Sequence, residues 1–436
     1  MPSYLFACTP AQGHVTPMVA VATHLVAHGD EVVFMGGRRF EREIERSGAR
    51  YVPLPPACDW DDRDQDAAFP GRASKPGPIK MLFDVKTAFC DPMPHQAHGI
   101  AEILETFPAD VVIVDSLFTG VAPLLLTGPP DRPRVAVCGV IPMFLSSKDT
   151  APFGMGIGPQ PGPLGTIRNA VLNTLVQKVA FAPITRHANR LLAGEGIKAL
   201  PMFLLDSITI ADRILQLSPA SFEYPRRDLP AHVSFVGPVP PRIADGAELP
   251  AWWGELDDDR PVVLVTQGTL DNVDLGRVIG PALMALAGED ALVVVTTGGR
   301  PADAVPGPVP ANVRIASFLP YDALMPKVDV MVSNGGYGGV LSALSHGVPV
   351  VVAGASEDKP EVAGRVAWSG SGINLRTGKP RPPAIKAAVQ RILADPSYRA
   401  AAIRIQTDIA ALDSLQLITA ALEELAGDQV RRSSVM

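Results

Sequence analysis

The chain is expected to fold as an α/β protein with two doubly wound, Rossmann-like parallel-sheet domains facing each other across a cleft. Three observations carry that expectation. Short apolar runs alternate with stretches of helical period along most of the sequence, the pattern of a parallel sheet covered on both faces. A length of 436 residues suits two or three domains of roughly 100–200 residues. The alternation breaks in a proline-dense stretch near 219–260 and then resumes.

The first series opens with a strand, "YLFAC", a turn, "TPAQGHV", and a helix. Thr16 suits the helix N-cap, Pro17 the first helical position and Gly29 the stop, while Met18, Val21, Leu25 and Val26 form an apolar stripe at helical spacing. Strand "EVVFMG", a helix over 38–47 and strand "ARYVPL" follow, then helix 80–106, strand "DVVIV", a helix near 117–126, and strands "RVAVC" and "ITIADRILQL". The second series runs "PVVLVTQG", helix 273–287, "ALVVVTTGG", "NVRIASFLP", "VDVMVSNGG", helix 338–346, "PVVVAG", a helix near 360–368 and "GINL". This places a first domain at 1–220, a linker at 221–260 and a second domain at 261–410, with a terminal helix and tail at 411–436 expected to pack back on the first domain. Residues 55–78 and 151–165, rich in Pro, Gly and Asp, read as long loops.

Composition narrows the function. Hydrophobic residues make up 47% and charged residues 19%, enough for packed cores and no signature of disorder. A net charge of −7 argues against a nucleic-acid partner, which needs concentrated Lys and Arg. "MPSYLFACTP" has no basic export signal, and every apolar run is broken before bilayer-spanning length. Cys8, Cys58, Cys90 and Cys138 lack metal-ligand spacing and read as buried, reduced thiols of a cytoplasmic protein.

The stretch "SNGGYGG" lies between the strand "DVMV" and the helix "VLSALSHG". Glycines at such a turn let a ligand approach the backbone, and the free N–H groups favour an anion, most often phosphate. A tight turn packing helix on sheet would use the same glycines. The loop is neither the dinucleotide fingerprint nor the Walker loop.

The residues after it are more specific. From about 318 to 375 the chain resembles the donor-binding signature of the inverting, nucleotide-sugar-dependent glycosyltransferases of the GT-B fold. The matching residues are Phe318-Leu-Pro320-Tyr321, Asn334-Gly-Gly336, Gly339, Ser342, Val348-Pro349 and Asp358-Lys359. The resemblance implies a nucleobase-binding end at Phe318 and Leu319, with the Phe318 ring stacked on the base. It implies backbone donors to a diphosphate at Gly335, Gly336, Gly338 and Gly339, and contacts to the sugar hydroxyls from Asp358 and Lys359. Gly268 and Thr269 match a second family loop near the phosphates. Asn334 stands where the family has a phosphate-binding histidine, Gly339 where it has a serine, and Ser342 where it has a ribose-binding glutamate. An asparagine amide still donates to a phosphate oxygen, without charge.

The opening segment is similar to the family's as well, and implies that His14 is the catalytic base, on a loop just before the first helix. Asp115, at the end of "VVIVD", would pair with it to fix its tautomer. A surface histidine and an ordinary strand-end aspartate are the plainer readings of each residue alone. The acceptor would lie against the first domain, shaped by the two long loops, helix 80–106 and the side chains Phe83, Met143 and Phe144. Asp59-Trp-Asp61 matches the metal-binding Asp-x-Asp of another glycosyltransferase class, but it sits in an acidic loop without strand context, and no metal is expected. Nor is any cofactor expected beyond the nucleotide sugar as co-substrate. The function implied is transfer from a UDP- or TDP-linked sugar to a hydroxyl of an apolar small molecule. A non-catalytic, sugar-nucleotide-binding auxiliary protein and a GT-B sugar epimerase are the alternatives.

Overall fold

Seven strands build the first sheet: β1 (Ser3–Ala7), β2 (Glu31–Gly36), β3 (Arg50–Pro53), β4 (Val111–Asp115), β5 (Arg134–Gly139), β6 (Arg213–Gln216) and β7 (Val233–Phe235). They lie in the order β3-β2-β1-β4-β5-β6-β7, every pairing parallel. Six more form the second sheet: β8 (Val262–Thr266), β9 (Leu292–Thr296), β10 (Val313–Ala316), β11 (Val330–Ser333), β12 (Val350–Val352) and β13 (Gly372–Asn374). Their order is β10-β9-β8-β11-β12-β13, again parallel. The structure, a computed structural model, describes residues 1–128, 132–240, 249–269 and 271–433. Part of the expected linker, 241–248, falls outside them.

Helices on both faces leave the central strands no solvent side, so β4 and β8 read as continuous apolar runs, buried at every residue. The strand order reverses between β1 and β4 in the first sheet and between β8 and β11 in the second. Crevices for ligands open at such reversals, beyond the C-terminal ends of the strands.

The final helix, Ser414–Ser433, returns to the first sheet. Ile418, Leu422 and Leu425, spaced to share one face, join Tyr4, Phe6 and Ile113 in one core. Burial stabilises by roughly 1.5–3 kcal/mol per side chain of this size. Arg213 pairs with Glu424 at 2.6 Å on the outside of the same contact.

Several elements differ from the sequence expectations; the expected helix 273–287 runs Ile279–Leu286, and of "ITIADRILQL" only Arg213–Gln216 is strand. The first helix runs Gln12–His28, starting four residues before Thr16, with Pro17 inside it. Its N-terminus is set from a distance, because Asp62 of the long loop accepts the Gln12 amide at 2.7 Å. The expected helix 80–106 is three pieces, Gly77–Asp84, a π-helical turn Val85–Cys90, and Met93–Thr106. The proline-dense stretch contributes β7, three residues long, as an edge of the first sheet. All four cysteines are buried and free. Burial pushes the Cys58, Cys90 and Cys138 thiols up to about 12, so they stay neutral. Among the described residues no helix is long and apolar enough to cross a membrane.

Candidate active site

Both strand-order reversals open into one cleft of about 2910 Å³ between the sheets. On the first side, the register pairing Ala7 with Val114 brings the residues just beyond β1 beside Asp115. The carboxylate is fully buried and accepts three hydrogen bonds. Thr9 N–H donates to Oδ2 at 2.7 Å, Leu117 N–H to Oδ1 at 2.9 Å, and His14 Nδ1 lies 2.7 Å from Oδ1. Burial alone raises its pKa, but the His14 ring and the two amides outweigh burial, and the group lies below the usual carboxylate range. With Nδ1 committed as donor to Asp115, the unprotonated Nε2 of a neutral ring is the nitrogen left for the cleft. His14 sits in the first helical turn rather than on a preceding loop, as a consequence of the Asp62 cap.

On the second side, the register pairs Thr266 with Ser333, so the loops after β8 and β11 run side by side. Asn334 joins them, its amide donating to the Gln267 carbonyl at 2.7 Å. Gln267 is anchored in turn, its side-chain oxygen accepting from Val278 and Ile279 N–H at 2.9 and 3.0 Å. Gly335 takes φ +89 at the turn, where a Cβ would meet Val352 Cγ1 at 2.6 Å. It packs beneath the loop and does not line the cleft, unlike Gly336, Gly338 and Gly339. The helix Tyr337–Ser345 starts here, and its first amides have no intrahelical partner. A Cβ at Gly336, Gly338 or Gly339 would meet nothing within 4 Å, so there is open space beside this part of the loop. Gly268 and Thr269 line the cleft across from them.

Phe318 and Leu319 lie at the far end of this half, with the Phe318 ring 66% exposed. A Cβ at Gly299 would stand 3.0 Å from that ring. The Gly298-Gly299 pair closing β9 is therefore part of the site. The sequence signal was present in "TTGG", a glycine pair at the C-terminal end of a strand next to the reversal. Asp358 lines the cleft. Burial pushes its carboxyl up to about 6 against the pull of Lys359, and His14 lines the same cleft. Lys359 itself is almost wholly buried, with Nζ paired to Glu357 and lying 3.4 Å from Asp271. Asp271 and Glu357 carry no sequence signal for this role, since their contacts with Lys359 depend on the fold. Glu357 holds a left-handed backbone, φ 55, a local strain of the kind found at ligand sites.

Met143 and Phe144 line the first-domain half of the cleft; Phe83 does not. The cleft is lined here by Leu82 and, from the π-helical turn, by Val85 and Phe89, while Lys75 Nζ lies 5.8 Å from the centre of the Phe83 ring. Asp59 accepts from the Arg38 amide and guanidinium at 3.2 and 3.3 Å. Asp61 caps a short turn through Arg63 N–H at 3.0 Å and takes Arg63 Nε at 2.9 Å. Both carboxylates are thus engaged with arginines.

A histidine–aspartate pair and a glycine-lined helix N-terminus share one cleft, an arrangement suited to group transfer from an anionic donor. Comparison with known proteins specifies the class. Residues 281–425 match the family described as "Erythromycin biosynthesis protein CIII-like, C-terminal domain". The chain is 43% identical over 412 residues to 4′-demethylrebeccamycin synthase of Lentzea aerocolonigenes, covering 94% of this chain and 96% of the relative. It is 36% identical over 438 residues to UDP-glycosyltransferase 2 of Phaeomoniella chlamydospora, covering 98% and 96%. The calicheamicin glycosyltransferase structure superposes with a TM-score of 0.73 at 21% identity, covering 98% of each chain. The protein belongs to the nucleotide-sugar-dependent glycosyltransferases of the GT-B fold. It is an enzyme that transfers sugar to a small-molecule acceptor, and not a non-catalytic auxiliary.

Proposed function

We propose that the enzyme transfers the sugar of a UDP- or TDP-linked donor, with inversion, to a hydroxyl of an apolar natural-product acceptor. The observation that carries this reading is the His14–Asp115 pair, 2.7 Å apart, on the same cleft as the glycine loop and Asp358. His14 Nε2 takes the acceptor's hydroxyl proton while the oxygen attacks the anomeric carbon. The bond from that carbon to the diphosphate breaks in the same displacement. The diphosphate leaves onto the amides of 337–339, fixed dipoles that stabilise the developing charge without rearrangement. Asn334 gives one amide hydrogen to Gln267 and has a second for a phosphate oxygen. Asp358 accepts from the sugar hydroxyls, and Lys359, being buried, acts through Glu357 and Asp271. The apolar first-domain wall, with Met143 and Phe144, suits an apolar acceptor. Four neutral buried thiols and a net charge of −7 fit a cytoplasmic enzyme with no nucleic-acid partner. No metal and no cofactor enter the scheme.

The test is turnover with UDP- and TDP-α-glucose against a panel of hydroxylated polycyclic acceptors, with anomeric configuration read by NMR. A β-glycoside, formed at the same rate in excess EDTA, is expected. Strict dependence on Mg²⁺ or Mn²⁺ would return the Asp59/Asp61 carboxylates to consideration, and an α-product would remove the single displacement.

Phe318→Ala should weaken nucleotide affinity by about 1–3 kcal/mol, the span for one base–aromatic stack. Calorimetry with UDP and TDP reads this directly; unchanged binding places the base elsewhere.

A further inference from the structure

The loop after β5 forms one wall of the first-domain half of the cleft, through Met143, Phe144, Phe153, Gly154 and Met155. The second domain grips the backbone of this wall. Glu361, in the helix Lys359–Ser369, accepts the amides of Gly154 at 3.0 Å and Gly156 at 2.8 Å on one carboxylate oxygen. Its other oxygen takes Nη1 of Arg365 at 2.9 Å. Arg365, wholly buried, donates Nε to Glu223 at 2.8 Å and Nη2 to the Met143 carbonyl at 3.1 Å. Glu223 completes the loop of contacts, accepting the Met143 amide at 3.2 Å and the Tyr337 hydroxyl at 2.9 Å. Tyr337 opens the helix beyond the glycine loop, and Glu361 lies three residues past Asp358.

Two glycines permit this approach. A Cβ at Gly156, where φ is +60, would stand 2.6 Å from the Pro360 carbonyl oxygen. A Cβ at Gly364 would stand 2.6 Å from the Tyr224 hydroxyl and 3.1 Å from the Gly156 carbonyl oxygen. A side chain at either position would force the loop off the helix.

We propose that Glu361 is a positioning residue for the acceptor, fixing the 153–156 wall to the helix that begins at the donor-sugar residues. The acceptor pocket then has its binding shape only while the second domain is seated against the first. This rests on placing the acceptor in the first-domain half of the cleft. Glu361 touches neither substrate and acts through the Gly154 and Gly156 amides.

Glu361→Gln keeps the volume but turns an amide hydrogen toward either Arg365 or the glycine N–H groups, so one of the two contacts is lost. The expected result is an acceptor KM raised about 5–150-fold, the usual span of a coupling between sites, with UDP and TDP affinity unchanged. Gly156→Ala should give the same split by steric means. Hydrogen–deuterium exchange supplies a readout that needs no acceptor: in both variants peptides spanning 151–158 should exchange faster, with the second domain as protected as in wild type. The proposal is overturned if exchange and acceptor KM stay at wild-type values. It is equally overturned if protection falls across the second domain and nucleotide affinity drops with it, which would make Glu361 a packing residue only. A wild-type enzyme that glycosylates no acceptor would count against the proposed function, while the exchange result would still decide whether Glu361 holds the wall.

Discussion

His14→Ala should lower kcat by roughly 10²–10⁴-fold, the usual cost of removing a general base, while leaving nucleotide affinity where it is. The helix that carries His14 is capped by Asp62, and Asp115 keeps its bonds from Thr9 and Leu117 when the ring is gone. The donor loops lie on the other sheet. Steady-state rates with one donor and acceptor, beside calorimetric titration with UDP, separate the two quantities. Undiminished turnover in this variant would falsify the assignment of the base.

Asp115→Asn should lower kcat less than loss of His14, through the tautomer that the carboxylate no longer fixes. The reason lies in the three bonds the carboxylate accepts. An asparagine NH₂ placed at Oδ1 faces the Leu117 amide and His14 Nδ1, and moves the ring proton to Nε2, where the base must be empty. Placed at Oδ2, it meets the Thr9 N–H, 2.7 Å away in the native protein. Either arrangement strands a buried donor, so a lower Tm is expected alongside the slower rate. Nucleotide affinity should hold. Its loss would assign Asp115 to the donor site or to the scaffold.

The pairing of His14 with Asp115 was legible through the resemblance of their two segments to the family, and the register of β1 on β4 brings them together. The glycine loop was legible for the same reason. What could not be read depended on partners far along the chain. The first helix begins at Gln12 because of a carboxylate fifty residues away, so local capping residues pointed to Thr16 instead. Phe83 was expected on the acceptor wall and does not line the cleft. The π-helical turn at Val85–Cys90 breaks the continuous helix expected over 80–106, and nothing in the local pattern announces it. Lys359 has the motif position of a sugar ligand, yet its burial against Glu357 and Asp271 follows from the packing of three loops. Strand β7 is too short for its period to stand out from the prolines around it.

The return of the final helix to the first sheet bears on recombination between relatives. Cutting such a chain once, in the linker, looks like a clean exchange of one specificity for another. Here a single crossover would give the recipient's first sheet a foreign terminal helix, with Ile418, Leu422 and Leu425 facing Tyr4, Phe6 and Ile113 of a different ancestor. A second crossover just before Ser414 lets the last segment travel with the opening half and keeps that core native. An exchange of this kind moves three pieces of chain and not two.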